Sequence, residues 1–168
     1  RTAREAGVQL RIGHAHRREA SLPAARQAIT RAVECHRALG NDEGLAAAYY
    51  ELAVIEMFAG RTREALACLD DGLAVARRSN VRLMQGALTT ARGCLLQDQG
   101  ELAAALEHHA EAARTFADLD ARFREASALH YLATTYVELG EAAEALAVLE
   151  QAKTRAVTAG APRYDALM

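Results

Sequence analysis

Gly60, Gly100 and Gly140 stand forty residues apart, and five residues after each comes an Ala-Leu pair: Ala65-Leu66, Ala105-Leu106 and Ala145-Leu146. A fixed period of this size is the mark of a repeat array, in which each unit buries its apolar face only by stacking on its neighbour. Laid out at that period, the 168 residues form four rows. The turn column reads Ala20, Gly60, Gly100, Gly140, and the column five later reads Ala25, Ala65, Ala105, Ala145. Next to it stand Arg26, Leu66, Leu106 and Leu146, then Ile29, Leu69, His109 and Leu149, then a small column of Ala32, Gly72, Ala112 and Ala152. Offsets of three and four describe one apolar stripe of a helix. Its small residues let a neighbouring helix come close.

A second helical stripe precedes each glycine. Row four reads Leu129, Leu132, Ala133, Tyr136, Gly140, and row two reads Tyr49, Leu52, Ala53, Glu56, Gly60. Row one offers Ile12-Gly13, and row three, the weakest, Thr89, Arg92, Gly93, Leu96. The other junction column, Gly40, Asn80, Asp120, Gly160, holds residues that tolerate the left-handed conformation ending a helix. The pattern predicts helices over 3–19, 22–39, 42–59, 62–79, 82–99, 102–119, 122–139 and 142–159, with Ser21, Asn41 or Asp42, and Thr62 as N-caps. Pro162 suits the start of a ninth helix. Forty alanines and only two prolines favour helix throughout, and no strand-like run occurs. The expected fold class is all-α, one array over 1–168 with units 1–40, 41–80, 81–120 and 121–160 and a further helix beginning in 161–168.

The repeat resembles the tetratricopeptide repeat family, whose signature maps onto Leu129, Leu132, Ala133, Tyr136, Gly140, Ala145, Leu149 and Ala152. The resemblance implies a right-handed superhelical solenoid of antiparallel helix pairs. Two features depart from the family: the unit is forty residues rather than about 34, and the usual proline near the end of the second helix is replaced by Arg37, Arg77, Ala117 and Val157. Long units of this kind are similar to those of large bacterial transcription regulators of LuxR type and antibiotic-regulatory type. Nineteen Arg against one Lys suit a high-GC bacterium.

In the family the first helix of each pair lines the concave side. The groove positions then fall on Leu10, Tyr50, Thr90, His130; on His14, Val54, Cys94, Thr134; on Arg17, Met57, Gln97, Val137; and at the rim on Arg18, Phe58, Asp98, Glu138. Arg17, Arg18, Tyr50, Val54, Met57, Phe58, Cys94, Gln97, His130 and Thr134 are the candidate partner-binding residues. Tyr50, Val54, Met57 and Phe58 form an apolar patch, which suits a partner and equally suits packing against adjacent helices or a further domain. The family's clamp for a terminal carboxylate uses Lys and Asn, which these columns lack.

Catalysis finds no support. Cys94 and His130 lack a third orienting group and an oxyanion hole, and no glycine-rich phosphate loop occurs. No Cys/His pair has zinc-site spacing, and the adjacent His108 and His109 point about 100° apart on a helix. Neither metal nor cofactor is expected. Residues 1–40 hold eight Arg against three Glu, and the remainder twelve Lys and Arg against nineteen Asp and Glu. A net charge of −2 gives no reason to expect nucleic acid. Cys35, Cys68 and Cys94 form no disulfide framework, no bilayer-length apolar run exists, and no signal peptide is visible, so the expected location is the cytoplasm. The chain opens on Arg1, as an excerpt of a larger protein would. The expected function is a protein- or peptide-binding module; a small-molecule effector domain and a structural or oligomerisation spacer are the alternatives. Weak self-association through the terminal helices is also expected, since Ala161–Met168 supplies no polar cap.

The alanine column yields a first prediction. Ala105→Leu or Ala145→Leu overpacks a helix contact and lowers stability by about 1–3 kcal/mol. Thermal melts unchanged in both variants would place these alanines at the surface.

Overall fold

Among the described residues, seven with left-handed backbone punctuate the chain: Gly40, Gly60, Asn80, Gly100, Asp120, Gly140 and Gly160, with φ between 50° and 81°. Between them the computed structural model, which describes residues 2–18 and 21–160, is helical. The helices are α1 (Ala3–Arg18), α2 (Leu22–Ala38), α3 (Asp42–Phe58), α4 (Thr62–Arg78), α5 (Arg82–Asp98), α6 (Leu102–Asp118), α7 (Arg122–Leu139) and α8 (Ala142–Thr158). No strand occurs among the described residues. No described helix is long and apolar enough to cross a membrane.

Each turn is built by backbone hydrogen bonds. The N–H groups of Asn41, Arg61, Val81, Glu101, Ala121 and Glu141 each reach the carbonyl five residues back, at 2.9–3.1 Å. With a left-handed residue just before them, these bonds make the C-terminal motif that satisfies carbonyls otherwise orphaned at a helix end. Asn41, Arg61, Glu101, Ala121 and Glu141 then hold the cap positions of the helices that follow them, which fixes the turn length. Arg61 therefore holds the cap position of α4, and Thr62 is its first helical residue rather than its cap. Asn41 does cap α3, its Oδ1 accepting from the Gly44 N–H at 3.0 Å. Ser21 holds the cap position of α2 without a side-chain bond. The helix starts fall where the sequence places them. The ends of α2, α3, α4, α5, α6 and α8 come one residue earlier, because the residue before each left-handed position closes the helix. The turn residue Ala20 and the expected ninth helix in 161–168 lie outside the described residues.

The chain divides into two compact units, residues 1–84 and 85–168. In the first, α1 packs on α2, α2 on α3 and α3 on α4; in the second, α6 packs on α7 and α7 on α8. The alanine column is buried throughout, as are Ala32, Gly72, Ala112 and Ala152. Glycines inside helices explain themselves by what lies opposite. A Cβ on Gly13 would stand 2.3 Å from the Ile29 side chain, and one on Gly44 the same distance from the His36 ring. In the second unit a Cβ on Gly86 would meet the Phe116 ring at 2.7 Å and one on Gly93 the His109 ring at 2.6 Å. Gly86 and Gly93 are seven residues apart on α5, as are His109 and Phe116 on α6. The two helices thus meet in antiparallel register, ring against bare backbone. A mid-helix glycine costs about 1 kcal/mol against alanine. Here that cost is offset by the ring it admits.

Two arginines clamp one buried carboxylate in the first unit. Glu56 on α3 is 1% exposed, accepts from Arg26 Nε on α2 at 2.7 Å, and accepts from Arg61 Nε in the following turn through its other oxygen. Removing both arginines strands the carboxylate, so Arg26→Leu with Arg61→Ala is expected to cost about 3–5 kcal/mol. Adding Glu56→Gln to that pair recovers part of the loss. Denaturant titrations in which the triple variant is no more stable than the double would contradict this account.

His109 is fully buried, stacked on Tyr131 at 5.5 Å, and neither ring nitrogen has a hydrogen-bond partner among the described residues. Burial, with a smaller contribution from the neighbouring His108 charge, pushes its pKa down to about 4. The unfolded chain therefore binds the extra proton first as pH falls. The neutral ring's stabilisation is complete above pH 6.5 and drains away between 6.5 and about 4, by up to about 3 kcal/mol. His109→Leu removes that acid-sensitive step. Gly93→Ala alone destabilises the protein, and adding His109→Leu restores much of the loss, because rows two and four carry the pairs Ala53/Leu69 and Ala133/Leu149 in these columns. Additive effects of the two changes would refute the pairing.

Candidate functional site

The first helices of consecutive pairs meet along one side of each unit, and there the candidate residues lie. In the first unit Tyr50, Val54 and Met57 follow one another at helical spacing on α3 and are half-buried, while Phe58, the last residue of α3, is 68% exposed. An aromatic side chain so exposed, beside a flexible methionine, is a potential anchor for a partner.

Of the basic edge expected beside this patch, Arg17 is paired within the unit. Arg17 Nη2 lies 3.7 Å from Glu51 Oε2, and His14 Nε2 lies 3.2 Å from the same oxygen. Glu51 occupies the column next to the groove positions and points from α3 toward α1. Its reach decides the outcome, which column assignment alone could not. The Arg18 side chain lies outside the described residues.

In the second unit the same slot between first helices has different chemistry. Where Glu51 faces His14 and Arg17, the corresponding columns hold Tyr131, Cys94 and Gln97. Tyr131 is 39% exposed and stacks by its inner face on His109, with His130 edge-on at 6.2 Å. Burial, and next the Asp98 charge, push the Cys94 thiol up to about 12. Gln97 accepts from Thr135 Oγ1 at 3.1 Å and donates to Glu138 Oε1. Thr134 turns its hydroxyl to the Tyr131 carbonyl at 2.8 Å. Val137 stands 61% exposed. Of the four candidates here, Cys94 is mostly buried, Gln97 is fixed by its partners, and His130 and Thr134 are half-buried beside Tyr131.

Tyr131 and Glu51 are the residues that column reasoning passed over. Their signal is present: the column Arg11, Glu51, Ala91, Tyr131 changes character in every row, as a surface between variable neighbours does. Glu56 had a sharper one. Arg26 interrupts a leucine column and Glu56 replaces the tyrosine of row four, two polar breaks that answer each other.

Among the described residues no group of three or more His, Cys, Asp or Glu is arranged to hold a metal. His108 lies on the α6 surface near Glu111 at 4.0 Å, and His109 is sealed beneath Tyr131.

Comparison with known proteins follows the repeat. Residues 126–159, spanning α7 and α8, match the tetratricopeptide repeat family model. Compared by sequence with curated proteins, the chain has no match. Among solved structures it is similar to BtubC (BKLC) from P. vanneervenii, at 16% identity and a TM-score of 0.79, over 92% of this chain and 64% of that one. It is similar to the apo form of RapI at 14% identity and a TM-score of 0.86, over 99% of this chain and 61% of that one. A Podosopora anserina protein with nearly identical TPR-like repeats gives 17% identity and a TM-score of 0.75, over 94% of this chain and 78% of that one. The chain thus spans less than two thirds of the first two structures' lengths. Such identities establish the fold, and repeats of this kind typically build non-catalytic surfaces for other proteins. With its paired helices, left-handed turns and small-residue columns, the chain has an all-α fold similar to that of tetratricopeptide-like repeat structures, and its residues 126–159 match the tetratricopeptide repeat family itself.

Proposed function

We propose that this chain is a non-catalytic module that binds a protein or peptide segment within a larger cytoplasmic regulatory protein of bacterial type. The observation that carries the reading is the α3 patch, where Phe58 stands 68% exposed next to Met57, with Val54 and Tyr50 behind them. Four rows at one period support treating 1–168 as a single array. The thiols support a non-catalytic role: burial pushes Cys68 up to about 11 and Cys94 up to about 12, so neither supplies a thiolate at neutral pH. Direct nucleic-acid binding is not part of the proposal. Arg17 and Arg26 are paired with the carboxylates of Glu51 and Glu56, which offsets part of the positive charge of the arginine-rich first forty residues.

Affinity in such a site comes from desolvated apolar anchors, whereas exposed ion pairs contribute about 0–1 kcal/mol each. With a native partner in hand, Met57→Ala combined with Phe58→Ala is expected to weaken binding by about 2 kcal/mol or more. Arg17→Ala, already paired to Glu51, changes it little. Calorimetric titration of the folded variants decides; equal affinity for all of them would move the site off α3.

A further inference from the structure

Inside each unit, consecutive hairpins join through one face of a second helix and one face of the next first helix. Ala25 and Ile29 on α2 cluster with Ile55 on α3, and Leu52 packs against them. Arg26 reaches Glu56, and the His36 ring lies against the backbone of Gly44. These contacts set one antiparallel register, in which position 29 stands opposite 52 and position 33 opposite 48. The His109–Tyr131 stack sets the same register between α6 and α7.

On α8 and α1 the two halves of that junction are open. Leu146 is 65% exposed and Leu149 half-buried, although Ile29 and His109 are fully buried in the Leu149 column. Lys153 replaces the buried Val33 and Ala113. On α1, Val8, Ile12 and Ala15 are exposed, where the same columns bury Ala48 and Ala128, Leu132, and Ile55 and Thr135. Helical spacing gathers each trio into a stripe about 60° wide. Carried across to a second copy, the internal register sets Leu149 opposite Ile12, Leu146 opposite Ala15 and Lys153 opposite Val8. It also brings the exposed Glu150 of one copy beside the exposed Arg11 of the other. The Lys153 stem can lie over Val8 with its ammonium directed one turn along, at Glu5. Apolar stripe and charge thus match together.

We infer that copies of this chain associate head to tail, α8 of one copy seated on α1 of the next, so that the α2–α3 and α6–α7 junctions recur between molecules. The contact is heterologous, and each added copy presents a further open face. It does not use the α3 patch and stands apart from the interaction-module reading.

The test is sedimentation velocity of the 168-residue chain over a concentration series, where the average mass is expected to rise steadily. Ile12→Glu and Leu146→Glu each alter an exposed position, and circular dichroism confirms that both variants keep their helices. Each is expected to raise the dissociation constant about tenfold or more. Mixing the two variants restores one intact junction, and association then stops at a dimer of unlike copies. Arg11→Glu weakens assembly, and adding Glu150→Arg to the same chain restores it. A strict monomer at every concentration overturns the inference. So does a mixture that forms no dimer, or loss with only one of the two variants, which would mean that like ends pair. Association that survives both but is lost with Met57→Ala and Phe58→Ala would place the contact on the α3 patch, refuting this interface while keeping the binding reading.

Discussion

Close approach of helix backbones is the constraint on which the rest of this structure depends. Helices paired through alanine and glycine bury little area per side chain, so each contact must be tight to contribute. The alanine column supplies one side of that approach in every row. Where the opposing residue is a β-branched isoleucine or a ring, the facing position is glycine: Gly13 under Ile29, Gly93 under His109, Gly86 under Phe116. The backbone then touches the larger side chain directly, and space is conserved from row to row while residue identity is not.

Carboxylates enter this packing in matched sets. Glu56 lies deep enough that one arginine leaves an oxygen unmet, and two arrive from different elements, α2 and the turn after α3. Glu125 repeats the idea in the second unit, accepting from Arg155 at 2.9 Å across α7 and α8. His36 and His109 follow another rule. Burial pushes both toward the neutral ring, and each lies against a glycine backbone. They behave as flat space-filling groups rather than as ligands or bases.

Much of the fold was legible because its determinants are periodic. The left-handed positions are Gly, Asn or Asp, residues whose conformational cost there is low, so Gly40, Asn80, Asp120 and Gly160 mark the hairpin boundaries in the sequence itself. Helix ends were displaced by one residue because the turn motif, rather than propensity, closes them. The α1–α3 and α5–α7 faces were legible only as columns. A column assigns a residue to a helix face, but how far a Glu51 or a Gln97 reaches toward the next helix depends on side-chain length and on its neighbour's charge. For that reason the basic edge at Arg17 is neutralised, and Tyr131 joins a site that no groove column contained.

The matched sets also define what can be exchanged between repeats. A helix cannot be copied from one row into another alone: α3 in place of α5 would bring Ala53 up against the His109 ring, which needs the bare backbone of Gly93. A whole hairpin carries both halves of that fit with it, and so is the smaller segment that duplication can move without collision. A charge constraint crosses the boundary between the first two hairpins, where Glu56 depends on Arg26 from the hairpin before it. A break there would separate a carboxylate from its counter-charge. The first two hairpins are thus a unit for any exchange that keeps Glu56, just as the His109–Tyr131 stack couples the third hairpin to the fourth.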